Sequence, residues 1–221
     1  MTFDKIWNDI FKNNQWGRYP AEDLIRFSSK YLNIKKNKRK INIIELGCGP
    51  GGNLWYFAKN GFSINGIDGS KIAIKNANKY LDKMSPNWQG ELEVADLTNY
   101  SFKKDSYDAV VDNEFSCCLD YKETKFLYEK LYHSLKNNGK IFLRTFAIGS
   151  YGYKSGKKIS YNTFLPSVGN IKMGTQRFSS KRDINLILHK FEILSIEKII
   201  RTINNSQDKI IEWIVVAKKN V

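Results

Sequence analysis

Residues 45–51 read Glu45-Leu46-Gly47-Cys48-Gly49-Pro50-Gly51, and this glycine-rich turn directly follows the apolar run of residues 41–46. Glycine lets the backbone approach a ligand closely, and the amino end of a helix favours negative charge. As a bare pattern, Gly47, Gly49 and Gly52 also satisfy the dinucleotide fingerprint. The stretch therefore predicts a strand, a tight turn and a helix beside a bound cofactor.

Outward from this turn, short apolar runs alternate with segments of helical periodicity. We predict strands over residues 41–46, 62–67, 91–95, 107–112 and 140–146, and helices over residues 53–59, 70–81 and 124–135. Ser70 is the expected N-cap of the second of these helices, and Asn137-Asn138-Gly139 is expected to stop the third. Residues 147–177 have no clear pattern and are expected to form a long functional loop.

The C-terminal part of the chain breaks this alternation. Residues 191–201 and 209–218 are predicted strands whose connection is too short for a parallel crossover, so they must form an antiparallel hairpin. The fold class that follows is α/β: a Rossmann-like, doubly wound, mostly parallel sheet of seven strands with an antiparallel C-terminal hairpin.

The N-terminal section is predicted to be helical. Its first helix carries an apolar stripe formed by Phe3, Ile6, Trp7, Ile10 and Phe11. A second helix is expected to start near Pro20, with Leu24, Ile25, Phe27 and Tyr31 facing inward. We predict that residues 1–40 form a cap over the cofactor and substrate site and pack with residues 41–221 into a single globular unit.

Composition restricts the classes of protein that fit. The three cysteines and two histidines show no metal-binding spacing, and they suit a reducing cytoplasm better than a disulfide framework. No apolar run is long enough to span a membrane, and the N-terminus lacks the pattern of a secretory signal. The net charge of +14 fits a solvated basic surface best, then an anionic substrate, and nucleic acid is not an expected partner.

Two features favour S-adenosylmethionine over NAD as the cofactor. Glu45 lies two residues before the first glycine, where an acid would face the cationic methionine end of S-adenosylmethionine rather than an anionic pyrophosphate. The predicted antiparallel hairpin is unlike the all-parallel dinucleotide fold. A tight turn without any ligand is the remaining alternative for the glycines.

From residue 41 onward the chain resembles the class I S-adenosylmethionine-dependent methyltransferases. The resemblance implies that Asp68 pairs with the ribose hydroxyls, that Ile72 packs on the adenine and that Asp96 and Leu97 bind the adenine edge. The full set of cofactor-binding residues implied is Glu45, Gly47, Cys48, Gly49, Gly51, Asn53, Leu54, Asp68, Gly69, Ser70, Ile72, Asp96, Leu97, Asp112 and Asn113.

The segment Trp16-Gly17-Arg18-Tyr19-Pro20 is similar to one found in bacterial small-molecule methyltransferases of this class. The resemblance implies that Trp16, Arg18 and Tyr19 close over the cofactor. The alternative is that the two aromatic residues only pack helices together.

Methyl transfer from a sulfonium requires alignment of the reactants, and a hydroxyl acceptor also requires a general base. Glu114 and Asp112 are the catalytic candidates, although orienting the cofactor is the role that suits Asp112 somewhat better. The acceptor pocket is expected in residues 147–177, with Tyr151, Tyr153, Lys157 and Arg177 as substrate-binding candidates. Arg177 is the candidate for a phosphate or carboxylate because its fork donates two parallel hydrogen bonds.

These expectations combine into a methyltransferase that acts on a small acceptor, either phosphorylated or derived from a sugar such as a surface-glycan precursor. An RNA methyltransferase is the alternative that the basic charge suggests. A non-catalytic S-adenosylmethionine-binding protein is the alternative from another functional class.

Overall fold

A seven-stranded sheet forms the centre of the computed structural model, which describes residues 5–13, 17–32, 37–169 and 174–220. Its strands are β1 (Asn42–Leu46), β2 (Ser63–Asp68), β3 (Gln89–Val94), β4 (Tyr107–Asn113), β5 (Leu135–Phe146), β9 (Phe191–Ile203) and β10 (Asp208–Lys219). They lie in the order β3-β2-β1-β4-β5-β10-β9, and the first five are parallel to one another. The predicted fold class is confirmed.

The antiparallel C-terminal hairpin is also confirmed. Strand β10 pairs antiparallel with both β5 and β9. The connection between β9 and β10 turns through Asn204, Asn205 and Ser206, which all have positive φ. Asparagine tolerates this conformation better than most residues, so the local sequence supports the tight reversal.

Six helices accompany the strands in the described part of the chain. They are α1 (Ile6–Asn13), α2 (Glu22–Phe27), α3 (Gly52–Lys59), α4 (Lys71–Met84), α5 (Tyr121–Ser134) and α6 (Lys181–Ile187). A π-helical turn, Ser28–Leu32, extends α2, and short 3₁₀ turns occur at Lys38–Lys40 and Ser116–Cys118. None of the described helices is long and apolar enough to cross a membrane.

Two hydrophobic cores lie on opposite faces of the sheet because successive side chains of a strand point to opposite sides. Ile44, Val110 and Leu143 pack against α5 and α6 on one face. Ile43 and Val111 pack against α2, α3 and α4 on the other. Strand β1 pairs with both β2 and β4, so the carboxyl ends of these three strands meet where ligands bind in open α/β sheets.

Helix α5 ends earlier than predicted. It stops at Ser134, and Leu135 is already extended, buried and paired with Tyr107. The stretch Asn137-Asn138-Gly139 therefore lies within β5, where the register jumps before Lys140, and it does not terminate the helix. Burial of Leu135 in the core sets the boundary, and the turn-forming residues after it accommodate a bulge.

The N-terminal helices agree with the predicted periodicity except at one position. Phe11, Leu24 and Phe27 are buried, as predicted, but Ile25 is 38% exposed. The second helix starts at Glu22, close to the predicted Pro20, and it buries Leu24 and Phe27 while Ile25 lies on its solvent side. Phe3 lies outside the described residues.

The segment between β5 and α6 is not the irregular loop that was predicted. It contains a three-stranded antiparallel sheet of β6 (Lys157–Ser160), β7 (Thr163–Leu165) and β8 (Gln176–Arg177). Phe146, Phe164 and Phe178 form a separate core beneath it. Strands this short carry too few residues to show a period, so the sequence could not reveal them.

Candidate functional site

The glycine turn after β1 is sterically closed to larger residues. Gly47 has a φ of +60°, and a Cβ atom there would lie 2.5 Å from Cδ2 of Phe115. A Cβ atom on Gly52 would lie 1.9 Å from the carbonyl oxygen of Gly17. The glycines thus allow two other segments to approach the turn, the one after β4 and the one before α2.

Glu45 is the most unusual polar residue at this edge of the sheet. It is 2% exposed, and its Oε1 accepts a 2.6 Å hydrogen bond from Nδ2 of Asn53. Its other oxygen, Oε2, is buried and has no hydrogen-bond partner among the described residues. Burial raises the pKa of Glu45 to about 8, and the nearby carboxylates of Asp68 and Asp112 add to the rise. A buried carboxylate oxygen without a donor is a suitable partner for a cationic ligand.

Asp68 ends β2 and organises the turn beside it. Its Oδ2 accepts a 2.9 Å hydrogen bond from the backbone N–H of Gly49, and its Oδ1 accepts one of 2.8 Å from the N–H of Ser70. Burial raises the pKa of Asp68. Ser70 is the N-cap of α4, as predicted, and its hydroxyl also donates to Oδ1 of Asn8 in α1. Each Asp68 oxygen keeps lone pairs for a further donor.

The other positions implied around the first two strand ends differ in their surroundings. Cys48 is buried, and its N–H donates to the carbonyl of Ile67. Leu54 is fully buried and packs over Gly66 of β2, so its side chain belongs to the core below the turn. Gly69 and Ile72 are only partly buried, as is suitable for residues beside a ligand.

After β3, Asp96 closes its own turn. Its Oδ1 accepts hydrogen bonds from the N–H and the hydroxyl of Thr98, at 3.0 and 2.7 Å. Leu97 is buried in the core. This arrangement gives the turn a fixed shape and keeps Asp96 at the same edge of the sheet as Glu45 and Asp68.

Asp112 is fully buried, so its structure argues against its role as a general base. Oδ1 accepts hydrogen bonds from the N–H groups of Phe115 and Ser116, and Oδ2 accepts one of 2.8 Å from the Tyr128 hydroxyl. Burial raises the pKa of Asp112, and these hydrogen bonds oppose the rise. The carboxylate holds the turn after β4 in place, which matches the orienting role more closely.

Glu114, the other catalytic candidate, is accessible. It has a φ of +65°, its side chain is 29% exposed, and its Oε1 lies 3.1 Å from Nε of Arg144. Burial raises the pKa of Glu114 to about 7, and Arg144 opposes the rise while the carboxylate of Glu212 adds to it. The neighbouring Asn113 has a buried side-chain oxygen, Oδ1, for which no described residue supplies a donor.

The segment before α2 lies against the glycine turn, but its side chains differ from the prediction. Tyr80 donates to the carbonyl of Arg18, and the N–H of Ala21 donates to Oδ1 of Asn53. Tyr19 is 77% exposed and contacts Trp55, and Arg18 is exposed as well. In this conformation the backbone of the segment makes the close contacts. Trp16 lies outside the described residues.

The predicted substrate-binding residues are not brought together. Arg177 is 2% exposed and donates to the carbonyls of Leu119 and Ser116 and to the hydroxyl of Ser179. Arg177 is therefore buried in β8, where its guanidinium is bound to internal acceptors. In this conformation it does not face an acceptor pocket as the prediction of a phosphate or carboxylate ligand requires. Tyr153 packs on Phe164 and Phe178, Tyr151 is half-buried, and Lys157 is exposed on β6.

Sequence reasoning missed Arg144 and Glu212. Nε and Nη2 of Arg144 donate to the two oxygens of Glu212, at 2.9 and 2.7 Å. Each residue is the one charge in a mostly apolar stretch, Arg144 in residues 141–146 and Glu212 in residues 210–216. The sequence did contain a signal for this pair. Two strands predicted to be buried each carry one charge, and the two charges have opposite signs, which indicates an ion pair because buried charges are usually paired.

The comparisons with known proteins agree with this architecture. Residues 43–139 match the family model described as a methyltransferase domain. A structure of an S-adenosylmethionine-dependent methyltransferase from Methanosarcina mazei superimposes with a TM-score of 0.74 at 20% identity, covering 91% of this chain and 99% of that one. No curated protein is similar enough in sequence to count as a match.

Two further structures extend the likeness. The S-adenosylmethionine-dependent methyltransferase from Mesorhizobium loti gives a TM-score of 0.67 at 16% identity, with 87% of this chain and 97% of that one covered. Phosphoethanolamine N-methyltransferase 2 from Haemonchus contortus gives a TM-score of 0.69 at 15% identity, with 97% of this chain and 60% of that one covered. Residues 43–139 thus match a methyltransferase domain, and the likenesses show that the chain has the fold of these S-adenosylmethionine-dependent methyltransferases.

Proposed function

We propose that this protein transfers a methyl group from S-adenosylmethionine to a small acceptor, with the cofactor held across the carboxyl ends of β1, β2 and β3. The observation that carries the proposal is the buried, partnerless Oε2 of Glu45. Leaving a buried polar group unpaired costs about 1–3 kcal/mol, so a residue of this kind is expected to meet a ligand. The ammonium group at the methionine end of the cofactor would donate a hydrogen bond to Oε2 of Glu45 and place a positive charge beside its carboxylate.

The remaining cofactor contacts follow from the other strand ends. Asp68 would accept from the ribose hydroxyls with the lone pairs that Gly49 and Ser70 leave free. Asp96, Leu97 and Ile72 would surround the adenine. Residues 1–40 would act as the cap, since Asn8 and Phe11 already contact Ser70 and the Gly49 turn.

The bound cofactor supplies an activated methyl group, so the protein's task is to align the acceptor and to take up its proton. Correct alignment can lower the barrier by roughly 7–11 kcal/mol. We assign proton uptake to Glu114, which is partly exposed and directly follows β4, the strand that pairs with β1. An acceptor with a hydroxyl or amine nucleophile fits this assignment.

A phosphorylated or sugar-derived molecule stays our prediction, although Arg177 is already occupied by internal hydrogen bonds. Lys157 and Lys158 of β6 are exposed, and these two cations would contact an anionic group of the acceptor. Because the Haemonchus contortus relative is a phosphoethanolamine N-methyltransferase, phosphoethanolamine belongs in the acceptor panel.

Calorimetry with S-adenosylhomocysteine and with NAD, each added to the full chain, tests the cofactor assignment. We expect binding of S-adenosylhomocysteine only, and binding of NAD alone would overturn the proposal. A screen with a labelled methyl donor against phosphorylated, sugar and amine acceptors then tests turnover. Sustained transfer to any of them rules out a non-catalytic binding protein, whereas tight cofactor binding without transfer across the panel favours it.

A further inference from the structure

Two carboxylates share one arginine beside the candidate methyl-transfer site. Arg144 in β5 donates from Nε and Nη2 to Glu212 in β10, and the same Nε lies 3.1 Å from Oε1 of Glu114. The side chains are 29% exposed for Glu114, 19% for Arg144 and 5% for Glu212. The triad thus runs from the accessible end of β4 into the interior of the sheet.

The register of the sheet puts this triad on the same face as Glu45. Glu45 pairs with Val111, so Asn113, two residues further along β4, points to the same side. Asn113 in turn pairs with Arg144 of β5. Glu114 therefore follows the strand next to that of Glu45, while Arg144 and Glu212 lie two and three strands away from the carboxylate to which we assign the methionine end of the cofactor.

Charge balance in the triad favours retention of a proton. Glu114 and Glu212 bring two negative charges to the single positive charge of Arg144. Beyond the triad, the charge of Asp23 in α2 favours the charged form of Arg144, the charge of Arg201 in β9 favours that of Glu114, and the Cys117 thiol donates to the Glu114 carbonyl at 2.9 Å. Two carboxylates held this close cannot both ionise easily, and their protons come off in coupled steps.

We propose that Glu212, acting with Arg144, is a positioning residue that makes Glu114 a proton acceptor for methyl transfer. This inference rests on the proposed function. In the step it serves, the lone pair of the acceptor's oxygen or nitrogen forms the new bond to the methyl carbon as the carbon–sulfur bond breaks towards sulfur, and the acceptor's proton passes to Glu114. Glu212 keeps Arg144 from neutralising Glu114 completely, which preserves a base of useful strength near neutral pH.

The first test needs no acceptor. The full chain, labelled with ¹³C at the glutamate carboxyls, is titrated by NMR, with the Glu114 signal assigned from its loss in Glu114→Gln. We expect a coupled titration near pH 7. Glu212→Gln should move it to lower pH by about one unit, because a like charge has been removed. Arg144→Gln should move it to higher pH, and Arg144→Lys serves if that variant does not fold.

Glu192→Gln is the matched control, because Glu192 is also a strand carboxylate in an ion pair, with Lys218. It should leave the Glu114 titration unchanged. A wild-type Glu114 that titrates at an ordinary glutamate value of about 4.3, or one that is indifferent to Glu212→Gln, overturns the inference.

Turnover then separates this inference from the proposed function. With an acceptor from the screen, Glu114→Gln should lower kcat by about a hundredfold or more. Glu212→Gln should shift the acidic limb of the pH profile downward by about one unit and lower kcat above that limb by no more than about tenfold, because the base is weaker, with KM little changed. If Glu212→Gln transfers methyl groups with the same acidic limb as the wild type, the role of Glu212 is refuted while the proposed function stands. A coupled titration in a protein that transfers to no acceptor refutes the proton-accepting role together with the proposed function.

Discussion

Glu45 and Asp68 end neighbouring strands, yet their carboxylates are satisfied to different degrees. Asp68 accepts two backbone hydrogen bonds, one on each oxygen, whereas Glu45 has one oxygen bound to Asn53 and one without a partner. Substitution of the two residues should therefore have different consequences.

We predict that ligand binding ionises Glu45. Its pKa of about 8 leaves it mostly protonated at neutral pH, and an ammonium prefers the carboxylate form, so binding should lower this pKa and release a proton. Affinity should accordingly rise with pH and level off above the pKa of free Glu45. Calorimetry with S-adenosylhomocysteine at about pH 7, in buffers of different ionisation enthalpy, measures the release. Glu45→Gln should abolish it, and an unchanged release in that variant would exclude Glu45.

Asp68→Ala should weaken S-adenosylhomocysteine binding by more than about tenfold, because each hydrogen bond to a charged group contributes about 1.5–3 kcal/mol. The helix cap at Ser70 and the core residues of β2 remain, so the fold should persist, as circular dichroism can verify. Asp82→Ala on the exposed side of α4 is the control. An unaltered dissociation constant in Asp68→Ala would remove the residue from the site.

At the residue scale, the sequence predicted the carboxylates better than the cations. Glu45, Asp68 and Asp96 follow strands whose apolar runs are easily recognised, so their shared edge could be inferred. Arg177 could not be placed, because its burial depends on β8, a strand of two residues. Its long side chain would suit an exposed loop equally well if that strand were absent.

At the scale of elements, the parallel strands and the C-terminal hairpin could be predicted because their periods and connection lengths admit few arrangements. The small sheet of β6, β7 and β8 could not, because its strands are only two to four residues long and leave no local period. The end of α5 was also misjudged, because tertiary burial of Leu135 overrides the turn preference of the residues that follow.

Docking of the segment before α2 depends on the absence of a side chain at Gly52. Gly52→Ala places a methyl group where the Gly17 carbonyl now lies, so we expect the segment to detach while α3 stays folded. Cleavage by trypsin after the exposed Arg18, followed by mass spectrometry, should accelerate several-fold. Lys59→Ala, at the other end of α3, is the control and should leave this cleavage unchanged. Equal rates for Gly52→Ala and wild type would contradict the docking seen here.

At the scale of the whole molecule, the net charge of +14 invites an RNA substrate, but the candidate site does not share this charge. Glu45, Asp68, Asp112, Glu114 and Glu212 gather at one edge of the sheet, with Arg144 and Arg177 as the internal cations that pair with or face them. A site lined with carboxylates suits a small acceptor better than a polyanion.

We therefore predict weak RNA binding, micromolar or weaker, with a shallow dependence on salt. A protein that neutralises many phosphates shows a log–log salt slope of about −0.7 per contact for single strands. Titration of a short single-stranded RNA at several salt concentrations measures this slope. Tight binding with a steep slope would favour the RNA methyltransferase alternative.

Asn53 links the candidate cofactor site to the N-terminal segment that precedes α2, because its one side-chain amide contacts both Glu45 and the backbone of Ala21. If a ligand on Glu45 strengthens the hydrogen bond between Asn53 and the N-terminal segment, thermodynamic reciprocity requires the docked segment to raise the affinity for the ligand by the same factor. The N-terminal segment would thus act on ligand affinity from a distance, through Asn53, as well as through the direct contacts of the cap.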